Sequence, residues 1–192
     1  MKLLHIDSAI TGEKSVTRKL SADIVSQLKA QVLDLEVTYY DLDAQPFAFL
    51  SSAAFTDEKE KQEGERALQD FLSADIVVIG APMYNFGLPA QLKSWIDRVA
   101  VSGRTFRYTA DGPVGLAGGK QVYVASARGG VYSGELSFLD HQEAHLKAVM
   151  GFMGIHDVTF IRAEGVNMGP DIAAQAFEKA ATEIKSLELS VA

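Results

Sequence analysis

The sequence predicts an α/β fold: a doubly wound sheet of five parallel strands, order 2-1-3-4-5, with helices on both faces. Three observations predict it. Short apolar runs alternate with helical repeats along the chain, as strand–helix–strand units do. The run Ile76-Val77-Val78-Ile79 is continuously apolar and stops at Gly80, as a central strand covered on both faces would. Finally, 192 residues with 47% apolar and 22% charged composition suit a single globular domain, spanning 1–192.

Taken in order, Lys2 to Ile6 is the first strand. Ser15 opens a helical pattern that puts Val16, Leu20, Ile24 and Leu28 on one face. Leu33, Leu35, Val37 and Tyr39 alternate with other residues and predict a second strand with one more exposed face. Residues 41–56 read as an irregular connection containing Pro46, and Asp57 to Leu72 as a charged, solvated helix. The third strand leads through the loop Ala81 to Phe86 into an amphipathic helix opened by Pro89. Gly103 to Gly119 reads as a second irregular excursion, with turns at Asp111-Gly112-Pro113 and Gly118-Gly119. Gln121 to Ala125 is the fourth strand, and Ser126 to Gly134 the loop that leaves it. His141 to Met153 is a helix, Val158 to Ala163 the fifth strand, and Pro170 to Leu187 a last helix with proline in its first turn. Length and element count favour the flavodoxin-like arrangement. Ligands of such sheets bind beyond the carboxyl ends of the strands where the order reverses, and the loops after strands one, three and four meet there.

Composition narrows the chemistry. The chain has no cysteine, which excludes disulfides, thiolate metal sites and thiol catalysis. No run approaches the ~18 apolar residues of a membrane span, and the apolar part of the N-terminus is short for a leader. A net charge of −7 argues against nucleic-acid binding. The expectation is a soluble, cytoplasmic protein. His141 and His145 lie one helical turn apart, but no second cluster completes a ligand set, so no metal is expected; Glu143 between them reads as a solvated or interface residue.

The three loops are unusual. In the first, Ser15 and Thr17 stand at a helix start, where free N–H groups and the dipole attract an anion. Ser15 is equally a plain N-cap. The loop lacks both the glycine–lysine pattern of a triphosphate cradle and the spaced glycines of a dinucleotide fold, so it suits one phosphate monoester. In the second, Met83, Tyr84, Asn85 and Phe86 replace the usual polar turn residues; they either cap the core or form a platform for a flat ligand. In the third, Gly129 and Gly130 mark a close backbone approach or a positive φ, while Arg128 either neutralises a charged ring or pairs with a helix end. A phosphorylated flat heterocycle with hydrogen-bonding edges fits all three, and flavin mononucleotide (FMN) fits best.

Ala81-Pro82-Met83-Tyr84-Asn85-Phe86, Thr105-Phe106-Arg107-Tyr108-Thr109 with Gly112-Pro113, Arg128-Gly129-Gly130, and Gly151-Phe152-Met153-Gly154-Ile155 together resemble the signatures of the FMN-dependent azoreductases, also called FMN-dependent NADH:quinone oxidoreductases. The resemblance is collinear over essentially the whole chain. It implies a homodimer with one FMN per subunit and a two-step cycle. NADH, or NADPH, gives up its electrons and leaves before quinones are reduced to hydroquinones or aromatic azo compounds are cleaved to amines. Carried onto this chain, it implies that Ser15, Val16 and Thr17 hold the phosphate, with Ser8 or Ala9 beside them. Met83, Tyr84, Asn85 and Phe86 line the ring, Ala127, Arg128, Gly129 and Gly130 close its pyrimidine side, and Tyr108 and Phe152 face the acceptor. The family often has Ser-Gln-Ser where Ser15-Val16-Thr17 stands, and Ser where Ala127 stands, so the hydroxyl pair survives while position 127 offers only backbone. No catalytic side chain is expected, because the flavin carries the redox chemistry.

Three rivals share the fold. A one-electron flavodoxin carrier is disfavoured by the long aromatic excursion around Phe106 and Tyr108, which suits a substrate pocket. A receiver domain would need an acidic cluster after the first strand and Asp after the third, where this chain has a lone Asp7 and Asn85. A flavin reductase delivering reduced FMN elsewhere would retain its flavin weakly.

Overall fold

The computed structural model describes residues 1–189. In chain order its elements are β1 (Lys2–Asp7), α1 (Val16–Lys29), β2 (Glu36–Asp41), α2 (Ala53–Thr56), α3 (Glu58–Ser73), β3 (Ile76–Pro82), α4 (Ala90–Val99), β4 (Phe106–Thr109), β5 (Gly112–Gly115), β6 (Gln121–Arg128), α5 (His141–Phe152), β7 (Val158–Glu164) and α6 (Pro170–Lys185). Five strands form one parallel sheet in the order β2-β1-β3-β6-β7, which is 2-1-3-4-5 when its own strands are counted. The order reverses between β1 and β3, so the loops after β1, β3 and β6 leave the same edge side by side.

The uninterrupted apolar run of β3 has a physical cause. Val77 and Ile79 join Phe71 of α3, Trp95 and Ile96 of α4, and Leu146 and Met150 of α5. Ile76 and Val78 join Leu20, Ile24 and Leu28 of α1 and Ala180 and Ile184 of α6. Alternate residues thus enter separate cores, each side chain contributing about 1.5–3 kcal/mol on burial. Among the described residues no helix is long and apolar enough to cross a membrane.

The structure redraws several boundaries. β2 starts at Glu36, not Leu33: Asp34 has φ 60°, which breaks the extended path, and Leu33 is left exposed in the preceding turn. β3 continues through Gly80 to Pro82; proline is tolerated because β1 has ended at Asp7, paired with Gly80, so no neighbour there needs its N–H. β6 continues through Ser126 and Ala127 to Arg128, residues expected in a loop. The connection 41–56 holds the short helix α2, and the excursion 103–119 contains an antiparallel hairpin, β4–β5. That hairpin is mounted on the end of α5 by bare backbone: a Cβ on Gly115 would lie 2.1 Å from the Gly154 nitrogen. Gly154 itself follows α5 at φ 88°.

Candidate active site

The β1–α1 loop combines both readings of Ser15. Its Oγ accepts the Arg18 N–H at 3.2 Å as the N-cap of α1 and lies 3.1 Å from Thr17 Oγ1. Two hydroxyls therefore meet at a helix start where the N–H groups of Val16 and Thr17, in the first turn, have no intrahelical acceptor. This is a donor set for an anion. Ser8 is placed differently. It is fully buried, and both its Oγ (2.7 Å) and its N–H (3.2 Å) donate to the Gly80 carbonyl, so its side chain is committed to β3. The next residue, Ala9, has its carbonyl held by Arg18 Nη2 (2.9 Å) and Nε (3.3 Å). A cation in the first turn of a helix opposes the dipole. Asp41 offsets this by accepting from Arg18 Nη1 and Nη2 at 2.8 and 2.7 Å, and the guanidinium holds the Asp41 carboxyl down at about 2.

The β3–α4 loop is a tight turn. Tyr84 and Gly87 exchange backbone hydrogen bonds at 3.1 and 3.0 Å around Asn85 and Phe86, whose φ angles are 48° and 67°. Two successive positive φ angles normally call for Asn-Gly. Asn85 obeys, but Phe86 stands where glycine belongs, at a cost of roughly 1–2 kcal/mol. Strain of this kind collects at functional sites. Among the described residues neither the Asn85 nor the Phe86 N–H has an acceptor, whereas Met83 N–H is used by Ala127 O at 2.8 Å. Phe86 is half exposed and meets Tyr132 edge-on at 6.0 Å, and its carbonyl accepts the His141 N–H at 3.1 Å. Tyr84 OH accepts the Ile10 N–H at 3.2 Å, which ties this turn to the first loop.

At the end of β6 the structure chooses between the alternatives that the sequence leaves open. Gly129 and Gly130 do not have positive φ. A Cβ on Gly129 would come within 2.8 Å of Asn167 Nδ2, so its smallness serves packing against the β7–α6 loop, while Gly130 would make only ordinary contact with Tyr132. Of the two readings for Arg128, the helix end wins. The side chain is 1% exposed and binds Asp140, the N-cap of α5, at 2.6 Å. Glu143, expected to be solvated or interfacial, is instead 5% exposed and bridges Arg128 (2.9 Å) to Arg162 (2.6 and 2.7 Å). Ala127 lies buried in the strand.

Tyr108 and Phe152 are brought together across the hairpin and α5, with ring centroids 6.3 Å apart. Phe106 stands between them, 5.7 Å from Tyr108 and 4.4 Å from Phe152, and Tyr108 is 72% exposed. Tyr132 is an aromatic member of the site that the sequence did not single out, and Arg18 and Asn167 are its hidden supports; the Phe106–Tyr108–Phe152 cluster sits at the end of α5 opposite His141, whose N–H meets the Phe86 turn. A cavity of about 700 Å³ lies between the 46–49 segment, α3 and the start of α4, and takes no residue from the three loops. Those loops form an open surface: a hydroxyl-and-amide cradle, a strained turn with two free N–H groups, and a glycine-bearing strand end. These suit a ligand with a phosphate at one end and a flat, hydrogen-bonding ring at the other.

Comparison with known proteins agrees. A sequence family described as having a flavodoxin-like fold matches residues 1–187. The chain is 53% identical to an FMN-dependent NADH:quinone oxidoreductase of Azospirillum brasilense, with 100% of both chains covered. It is 52% identical to an FMN-dependent NADH:quinone oxidoreductase of Stenotrophomonas maltophilia over 98% of this chain and 97% of the relative. Among solved structures it superposes on an azoreductase from Bacillus anthracis with a TM-score of 0.85 and 29% identity, covering 97% of this chain and 100% of that one. Fold and full-length identity place the chain in one family: it belongs to the FMN-dependent NADH:quinone oxidoreductases.

Proposed function

We propose that this oxidoreductase takes electron pairs from NADH, or NADPH, through one FMN per subunit. It passes them to quinones, giving hydroquinones, and to aromatic azo compounds, giving amines. Bound FMN supplies the two-electron chemistry, so the protein's part is binding, orientation and exclusion of water. The observation that carries this reading is the strained Asn85–Phe86 turn, whose two free N–H groups lie between a monophosphate cradle and the end of β6.

In this reading Ser15 and Thr17 hydroxyls and the N–H groups of Val16 and Thr17 hold the phosphate, and the α1 dipole offsets its charge. Ser8 acts from behind, fixing the loop to β3. Met83, Tyr84, Asn85 and Phe86 line the ring, the turn amides supplying donors at its edge, and Ala127 to Gly130 close the far side with backbone alone. Tyr108 and Phe152, with Phe106, give the aromatic face over which nicotinamide, quinone or dye stacks. One face serves donor and acceptor in turn, which is why a ping-pong cycle follows. Large apolar side chains left in water, among them Phe49 and Phe55, support assembly as a homodimer.

An anaerobic visible titration tests the reading. A yellow protein that bleaches with NADH and recovers its colour with benzoquinone in a single two-electron transition is the expected result. A colourless protein that takes up no added FMN would overturn it.

A further inference from the structure

We infer that Arg128 is the positioning residue of the flavin site: its buried guanidinium sets the turn after β3 and the loop after β6 at once, and its backbone ties them to the loop after β7, without touching the ring. The inference rests on the three loops being the flavin site.

The first arm runs to α5 and β3. Arg128 Nη1 donates to Asp140 Oδ2 at 2.6 Å, and the other oxygen of Asp140 caps α5 by accepting the N–H groups of Gln142 and Glu143 at 3.1 and 3.0 Å. His141, the next residue, donates its N–H to the strained Phe86 carbonyl. Arg128 Nη2 also reaches Gln142 Oε1 at 3.1 Å, and Gln142 Nε2 donates to Ala81 O at 2.8 Å, just before the platform. The second arm runs to the loop after β6. Glu164 Oε1 lies 3.6 Å from Arg128 Nη1 and accepts the N–H groups of Tyr132 and Ser133 at 2.9 and 3.0 Å, while Glu164 Oε2 accepts a hydrogen bond from the Ser133 hydroxyl. Tyr132 is the ring that meets Phe86. The third arm is the residue's own backbone: Arg128 O accepts the Val166 N–H, and Gly129 O accepts that of Asn167.

The charges point the same way. Asp140, Glu143 and Glu164 crowd this one buried cation, with Arg162 sharing Glu143. Its two Nη atoms are thus matched within the protein, and only the buried Nε is left without a partner among the described residues. Serving Asp140, Glu143, Ser126 and Gln142 together takes a planar fork of donors, which a lysine ammonium on a flexible stem does not provide.

Arg128→Lys and Arg128→Gln separate fork from charge. The readouts are FMN affinity by titration of the apoprotein, amide exchange of the apoprotein, and the midpoint potential of bound flavin. The expected result is that Lys fails like Gln, with FMN affinity down about tenfold or more. Exchange rises at 83–87 and 129–133 while β1 and β2 stay protected, and the flavin in Arg128→Lys keeps the wild-type potential. Wild-type affinity and exchange in Arg128→Lys, with only Arg128→Gln impaired, would show that charge suffices and overturn the inference. If the lysine variant does not fold, Glu164→Gln decides. Faster exchange confined to 131–133 with weaker FMN binding supports the hub, and no change in either refutes it. Failure of the wild-type protein to bind FMN would remove the site assignment instead, a separate result, while apoprotein exchange would still report on the hub.

Discussion

Replacing Gly80 with alanine tests how β3 and the first loop are joined. A methyl group on Gly80 would lie 2.3 Å from Asp7 Oδ1 and 3.3 Å from Ser21 Oγ. Asp7 is buried, with Oδ1 accepting the Ser21 hydroxyl at 2.8 Å and Oδ2 accepting Tyr39 OH at 3.0 Å. The carboxyl cannot stay where it is, and losing both hydrogen bonds inside the protein costs about 2–3 kcal/mol. For a chain of this size that lowers Tm by roughly 4–12 °C, measured on the apoprotein so that ligand binding does not mask the loss. FMN affinity falls too, because Ser8 hangs on the Gly80 carbonyl by both its N–H and its hydroxyl. The reasoning also requires non-additivity: in an Asp7→Ala background the same Gly80→Ala change should cost almost nothing. A variant within about 0.5 kcal/mol of wild type, or costs that simply add, would refute it.

Phe86→Gly should relieve the left-handed strain and raise apoprotein stability by roughly 1 kcal/mol in urea melts, while weakening FMN binding through loss of the ring beside Tyr132. Thr17→Ala should weaken FMN binding but leave riboflavin binding unchanged in parallel titrations, since only FMN carries the phosphate; equal losses for both would move the phosphate elsewhere. Acid stability should depend on Asp41. Its carboxyl sits at about 2, below the ordinary value of 3.8, through the Arg18 hydrogen bonds. The stabilisation is therefore complete above about pH 4 and drains away as pH falls toward 2, amounting to at most about 2 kcal/mol. Urea midpoints of Asp41→Asn should consequently fall less than those of wild type between pH 4 and pH 2.5.

The sheet was legible because its signals are local. β3 and β6 announce themselves by apolar runs, and Pro89 and Pro170 by their place at helix starts. What escaped depends on partners distant in the chain. Ser126 and Arg128 look like loop residues until Gln142, Asp140, Glu143 and Glu164 are seen to satisfy them, and only then is a polar strand end affordable. Gly129 is legible as a close approach or a positive φ, but what approaches it is the Asn167 side chain, from after β7. The alternation at Leu33 was accidental, broken by the single backbone reversal at Asp34. The β4–β5 hairpin hid because its residues are largely exposed and carry no buried face to read. The aromatic turn at 83–86 was legible as odd, though its strain could not be read from side-chain types alone.

The way that hairpin is mounted has a consequence for how the protein can diversify. Gly115 and Gly154 meet through main chain, and Ala117 N–H bonds to Met153 O at 2.9 Å, so attachment does not depend on the side chains at the tip. Residues 107–113 can therefore be exchanged as a cassette, each version offering a new surface to incoming molecules, while the cradle and the Asn85–Phe86 turn stay as they are. The glycine pair is the socket, and a side chain at either position would unseat every version alike.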